Sequence, residues 1–412
     1  MVKLLHISDV HMNAGYSNKN ERIRNRLKEA MKMSLMKAFD FALSAQVDGI
    51  LIAGDFFDHD KTSFEDESFV FDQLKRLLEK NVFIFYCSGN HDPMQTADFL
   101  KSLEKHPNFY LYEDDQVTCT ECTSKDQTRF KILSVGHKSK NEQRNLIQTF
   151  PCKDDDSIWI GMAHASVPSA LTTSDKTSYM ATALSDIEKL NYNYFGLGHI
   201  HMRQLLAPKV GYSGNLQGLN VKEIGMKGGY LVTLDDFETK VEPVNFSEII
   251  WEQIALQIPS DVINLPLLQE WLVDCVMPII SECPMPAKNI IVRIVLSGKT
   301  VLRNELRTSK NIEYLVDYME NRTGLLQVEI KSSELTHPVN TDELIEENTV
   351  LSVALKTISD SEYEEDLLER LLSLPIYNKL NTRESQIRYL TQVMMGLSDE
   401  LIERMVVEKN GD

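Results

Sequence analysis

Five stretches of the 412-residue chain end an apolar run with residues that bind cations. Asp9 and His11 follow residues 2–8. Asp55 follows 47–53. Asn90 and His91 follow 82–87, His164 follows 157–163, and His199 and His201 follow 192–195. The last pair stands in Gly-Leu-Gly-His-Ile-His, and in extended backbone both rings would project to one side, beside glycines that let backbone come close. A His-x-His pair alone specifies little, since paired histidines also stand on satisfied surfaces. Five such ends specify more, because ligands of α/β sheets bind at the carboxyl ends of strands. The donors are carboxylate, amide oxygen and imidazole without thiolate, which suits manganese, iron or magnesium better than zinc. Asp9, His11, Asp55, Asn90, His164, His199 and His201 are too many for one ion and suit two. Two ions about 4 Å apart can hold the attacking and phosphoryl oxygens of an in-line displacement.

The elements that must position these residues alternate. Residues 2–8, 47–53 and 82–87 predict buried strands, and helices are expected over 18–46 and 64–80. That order predicts an α/β layer with parallel strands. Further strands are expected over 129–135 and 157–163, a strand and turn over 210–218, a helix over 180–189, and a closing hairpin from 229–234 and 240–246. His6 lies inside the first strand and His137 lacks a partner at useful spacing, so both read as structural. The early helix is basic (Lys19, Arg22, Arg24, Arg26, Lys28, Lys32), and phosphate contact and a solvated face explain that equally well.

After about residue 247 the pattern changes. A helix over 265–280, which Pro278 would end or bend, precedes a strand over 289–296, a helix over 311–321 and a strand over 325–330. This is a small α/β unit without a catalytic cluster. The tail from about 343 is expected to be helical, including 367–374 and 382–407. Its leucines read as core or as a partner-binding face.

A net charge of −18 argues against nucleic-acid binding by bulk charge, though not against a local basic site or bound cations. Cys119 and Cys122 form one Cys-x-x-Cys, with no second pair at zinc-site spacing. Cys87, Cys152, Cys275 and Cys283 read as free buried thiols of a reducing cytoplasm. Residues 1–10 read as a strand rather than a leader, and no apolar run approaches membrane-spanning length.

Asp-x-His, Gly-Asp, Gly-Asn-His-Asp, His-Ala and Gly-His-x-His, in this order, resemble the calcineurin-like metallophosphoesterase superfamily. Leu-Leu-His-Ile-Ser-Asp-Val-His, Gly-Asp-Phe-Phe-Asp and Ser-Gly-Asn-Leu-Gln-Gly are similar to its SbcD-type DNA repair nucleases, most closely the YhaO-type bacterial branch. The motifs cover residues 1 to about 220. The resemblance implies a four-layer α-β-β-α sandwich over 1–247, an α/β capping domain over 248–338, and a helical, partner-binding tail over 339–412.

By the same resemblance, one ion is held by Asp9, His11, Asp55 and His201, and the other by Asp55, Asn90, His164 and His199. Asp55 bridges the two, which needs a carboxylate with two free oxygens. His91 assists the leaving oxygen. Asp58 orients His91, with a simple loop cap as the alternative. Asn215 and Gln217 match a family loop, but Leu219-Asn220 departs from the Arg-His expected there. The implied activity is phosphodiester hydrolysis on DNA, by exonuclease and some endonuclease action, with two divalent ions, Mn2+ foremost. An ABC-type ATPase with a coiled coil, a homodimer and a cytoplasmic location are also implied. The competing expectations are a phosphodiesterase or phosphatase for small phosphoesters, and a scaffold that regulates the ATPase.

Overall fold

A computed structural model describes residues 1–17, 19–58, 63–93, 98–168, 179–235, 237–336, 338 and 349–361, with positions 370, 385, 387, 389, 397, 401, 402 and 405. The expected tail helices over 367–374 and 382–407 lie almost entirely outside the described residues. No helix among those described is long and apolar enough to cross a membrane.

The first sheet is built from β1 (Val2–Ile7), β2 (Gly49–Ala53), β3 (Phe83–Cys87), β4 (Phe109–Tyr112), β11 (Gly228–Leu234) and β12 (Thr239–Asn245). Its order is β12-β11-β1-β2-β3-β4. β1 to β4 run parallel, and the expected hairpin β11–β12 joins antiparallel to β1. Strands β1 to β3 are almost wholly buried, as continuous apolar runs covered on both faces must be.

One face is covered by α1 (Glu21–Ser44) and α2 (Phe64–Leu78). Asn20 starts α1 by accepting the Ile23 N–H at 2.9 Å, a side-chain cap for an otherwise orphaned donor. Ile23, Leu27, Ala30, Met31, Leu35, Ala38 and Phe39 then form its buried stripe. Ser63 caps α2 in the same way, and Glu65, Asp66 and Glu67 fill its first turn, where negative charge suits the helix dipole.

The second sheet has the order β5-β6-β7-β8-β10-β9. Its strands are β5 (Thr118–Thr123), β6 (Arg129–Ser134), β7 (Ile158–His164), β8 (Tyr194–Gly198), β9 (Gln204–Ala207) and β10 (Val210–Tyr212). β6, β7, β8 and β10 are parallel. The sheets face each other through Leu4, Leu51 and Phe85 from one side and Phe130, Ile160 and Tyr194 from the other. His6 lies in this inner layer. Its Nδ1 is 2.8 Å from the Tyr194 hydroxyl, and burial pushes it down to about 3, a core histidine as expected.

The outer face of the second sheet carries α3 (Leu184–Glu188) and a 3-10 turn at Leu146–Thr149. The fourth layer is thus thin among the described residues. The helix expected over 180–189 shrinks because Met180 is left-handed (φ 44) and its N–H is tied to Glu142 O at 2.8 Å.

Strand β5 was not expected. It places Cys119 outward and Cys122 inward. Three residues along a strand is about 10 Å, so the two thiols do not chelate together. Cys87 is buried as expected, but Cys152 is exposed and Cys275 and Cys283 are half-buried, because they lie on a loop and on or at the end of a helix rather than in a core strand.

Two compact units divide the chain, residues 1–252 with 284–292, and 253–283 with 293–412. A three-stranded sheet is ordered β13-β14-β15 (Ile250–Gln257, Ile290–Lys299, Gln327–Thr336). The second unit contains α4 (Leu265–Glu282), α5 (Ser309–Thr323) and α6 (Val350–Ser361). Helix α4 continues through Pro278, and α5 ends on left-handed Gly324 (φ 71), the usual helix stop.

Candidate metal centre

The carboxyl ends of β1, β2, β3, β7 and β8 converge, and the loops leaving them turn sharply. Asp9 (φ 49), His11 (φ 50), Asp55 (φ 50) and His199 (φ 105) all have positive φ. Such backbone costs roughly 1–3 kcal/mol per residue and persists only where surroundings enforce it. Here they do: Asp9 N–H donates to Gly54 O, His11 N–H to Asp55 O and Met12 N–H to Phe56 O, at 2.9–3.0 Å.

Three histidines share one arrangement. His11 Nδ1 is 3.0 Å from Asp58 Oδ1, His201 Nδ1 is 3.0 Å from Glu223 Oε1, and His164 Nδ1 is 2.9 Å from Ala53 O. Each Nδ1 therefore carries the proton and donates it, which leaves the Nε2 lone pair for a cation. The Nε2 atoms point inward. His11 and His201 Nε2 lie 3.0 Å apart. His164 Nε2 lies 3.0 Å from Asn90 Oδ1 and 3.2 Å from Asp55 Oδ2. At these distances positive charge must lie between the facing atoms, a proton on Nε2 or a cation in its place, so the donor set fits divalent cations.

Titration follows the same logic. Burial alone would lower His164 and His201, but Asp55 overcomes this at His164, and Glu223 with Asp9 at His201, holding both up to about 9. Asp9, His11 and His201 form one group whose ligand atoms all lie within 4.8 Å of one another. Asp9, Asp55 and His164 form a second, and His11, Asp58 and His91 a third.

Asp55 differs in detail from expectation. Its Oδ1 accepts the His91 N–H at 2.8 Å, and only Oδ2 faces inward, 3.2 Å from His164 Nε2 and 3.9 Å from His11 Nε2. One oxygen, not two, lies between the two histidines. Gly89 makes room for this, since a Cβ there would fall 2.2 Å from Asp55 Oδ1.

His91 does not join the inner Nε2 atoms. Its Nδ1 is 2.9 Å from Asp58 Oδ1, so one carboxylate oxygen serves both His11 and His91. That bond raises His91 above the ordinary histidine value, against burial.

His199 departs from the expected pairing. Strand β8 ends at Gly198, where a Cβ would overlap Ala53 O at 1.7 Å, and His199 leaves it at φ 105. The backbone is not extended, so the rings diverge. His199 packs at 5.3 Å from His164 and 5.6 Å from Tyr179, whereas His201 packs at 4.8 Å from His11. The His199 N–H donates to both Asp9 oxygens at 3.1 Å. Its Nε2 is buried without a partner, and the ring lies beside the close groups rather than within them.

Two carboxylates escaped the sequence analysis. Asp92 accepts the N–H groups of Asp55, Phe56, Phe57 and Gly89 at 2.6–3.2 Å, and the Tyr86 hydroxyl. It ties the β2 and β3 loops together. Burial and nearby Asp55 push it up to about 6, against its hydrogen bonds. Glu223, five residues beyond Gly218, holds His201. His137, expected to be structural, lies 2.6 Å from the His164 carbonyl through Nε2 and supports that strand end.

The basic helix face is largely spoken for. Lys32 pairs with Glu65 and Asp66, Arg26 with Glu29, Arg24 donates to Lys19 O, and Lys19 lies 4.6 Å over Trp251. Exposed Lys28, with Lys32, Asn25, Asn13 and Tyr16, lines a cavity of about 600 Å3 that reaches His11.

The family model for calcineurin-like phosphoesterases matches residues 2–203. An uncharacterized metallophosphoesterase of Bacillus subtilis, YhaO, is 26% identical over 395 residues, covering 93% of each chain. DNA double-strand break repair proteins Mre11 of Sulfurisphaera tokodaii and Nanoarchaeum equitans are both 25% identical. They match 49% and 55% of this chain, and 50% and 64% of their own. Among solved structures, TT1561 of Thermus thermophilus aligns with a TM-score of 0.36 at 12% identity over 59% of this chain and 98% of that one. A dimetal phosphatase from Danio rerio aligns at 0.33 and 13%, over 60% and 99%. The converging strand ends, the inward Nε2 atoms and the matched family agree that this chain carries a calcineurin-like metallophosphoesterase domain.

Proposed function

We propose that the protein is a two-ion DNA nuclease that hydrolyses phosphodiesters. The observation that carries the proposal is the set of inward Nε2 atoms, each with its Nδ1 already donating, around the single inward oxygen of Asp55. We assign one ion to Asp9, His11, Asp55 and His201, and the other to Asp55, Asn90, His164 and His199. When bound, the two divalent cations supply the nucleophile at neutral pH and offset the phosphoryl charge. Asp58 fixes His91 through Nδ1, which leaves Nε2 to donate a proton to the leaving oxygen. Its raised value keeps more of that proton in place near neutral pH. Asp92 and the left-handed loops hold the ligands in place beforehand.

DNA as substrate is supported by similarity to archaeal proteins named for double-strand break repair. Mn2+ is supported by the oxygen and imidazole donors. We further propose an ABC-type ATPase with a coiled coil as partner, joined through the region after about residue 340, a homodimer, and a cytoplasmic location. The deciding experiment digests end-labelled linear duplex DNA with Mn2+, beside His91→Ala. Shortening of the label by wild type, with loss in a variant that still binds metal, is expected. Activity confined to small phosphoesters would rule out the nuclease. A protein that binds no divalent ion would leave only a scaffold.

A further inference from the structure

Glu223 belongs to none of the strand-end motifs, yet it is among the most fully engaged carboxylates near the centre. Its side chain is 13% exposed. Oε1 is 3.0 Å from His201 Nδ1 and accepts from Asn220 Nδ2 at 2.8 Å. Oε2 accepts from Asn215 Nδ2 at 2.6 Å and from the Leu219 N–H at 2.8 Å. Four donors converge on one carboxylate, and three come from a single loop. The loop also grips His201 directly, since the Asn215 N–H donates to His201 O at 3.3 Å. Asn215 is itself held by donating to Gln217 O at 2.9 Å.

This arrangement gives Leu219-Asn220 a task. The pair stands where a basic or imidazole contact to substrate was expected. Here the Leu219 backbone and the Asn220 amide both turn to Glu223 instead. The carboxylate is needed as such: glutamine could accept from His201, but its amide nitrogen would face the donors of Asn215 and Leu219.

We propose that Glu223 is the positioning residue for one of the two ions, locking His201 with Nε2 toward His11 and Asp9 and so setting the affinity of that ion alone. The inference rests on the two-ion reading above. Glu223 touches neither ion nor substrate, because it sits on the Nδ1 side of the ring.

The test is a titration of the full chain with Mn2+ followed by electron paramagnetic resonance, and with Co2+ followed by visible absorption. The proteins are wild type, Glu223→Ala, Glu223→Gln and Asn220→Ala. Wild type is expected to bind two ions. In Glu223→Ala one keeps its affinity and the other weakens 10- to 100-fold, the usual effect of removing a group that orients a ligand. Glu223→Gln should fall between. Asn220→Ala, which removes one support at an exposed position, should weaken the same ion roughly two- to tenfold, and it carries the test if Glu223→Ala does not fold. Two ions bound as in wild type by both Glu223→Ala and Asn220→Ala, or equal weakening of both ions, would overturn the inference and leave the two-ion reading intact. A wild type that binds fewer than two ions would overturn that reading, and this inference with it.

Discussion

Asp58 is where metal binding and proton donation meet, and Asp58→Ala should separate them. Its Oδ1 lies 3.0 Å from His11 Nδ1 and 2.9 Å from His91 Nδ1. A hydrogen bond to a charged group contributes about 1.5–3 kcal/mol. The His91 side chain is 44% exposed, so water screens that contact and the lower end applies. Loss of about 1.5 kcal/mol lowers kcat roughly tenfold once metal is saturating. His11 is 2% exposed, so its contact is unscreened, and metal affinity should fall about 10- to 100-fold. Asp58→Asn adds a pH signature. The Asp58 contact raises His91, and a general acid works only while protonated, so activity is lost as pH rises through its value. Removing the charge lowers that value, and the alkaline limb of the kcat profile should move to lower pH. Comparison at equal Mn2+ loading cancels the field of the ions. The assay is turnover of a small phosphodiester across pH, with metal affinity measured separately by calorimetry. Weaker metal binding with unchanged kcat and an unmoved alkaline limb would show that Asp58 serves His11 alone.

Three further outcomes are expected. His164 and His201, held up to about 9 in the free protein, are protonated near neutral pH. Metal must displace these protons, so affinity should rise between pH 6 and 9, with proton release visible in calorimetry run in two buffers; a pH-independent affinity would contradict the cluster. Stripping divalent ions with a chelator should lower stability by about 2.7 kcal/mol for each ion lost, relative to protein in Mn2+ at about 100 times that site's Kd, read as a drop in Tm. Gly198→Ala forces a Cβ to within 1.7 Å of Ala53 O; as overpacking it should cost about 3 kcal/mol in denaturant unfolding, and a neutral result would mean that β2 and β8 do not approach so closely.

The strand ends were legible because each follows a continuous apolar run, and the parallel order of such runs dictates where their loops meet. The ligand types could be read for the same reason. What escaped depends on three dimensions. Glu223 lies in a polar loop with no periodicity to mark it, and only the fold brings it under His201. Asp92 looks like one more ligand in Gly-Asn-His-Asp, but its oxygens are taken by four backbone donors and the Tyr86 hydroxyl. The His199–His201 spacing puts both rings on one side only in extended backbone, and the strand stops one residue before His199, at Gly198. Strand β5 was missed because its threonines and cysteines alternate only weakly in polarity, as an edge strand allows.

The four left-handed residues, Asp9, His11, Asp55 and His199, carry a consequence for how the centre is shared among metals. The strain that shapes the ligand loops is braced by backbone hydrogen bonds within the chain, Asp9 N–H to Gly54 O and His11 N–H to Asp55 O among them. A cage formed in advance demands of its guest only charge and a tolerable radius. Exchange of one divalent ion for another should then leave the backbone where it is. Which metal does the work would follow from what the surroundings supply, so a cell could tune the enzyme through its metal pool without touching the protein.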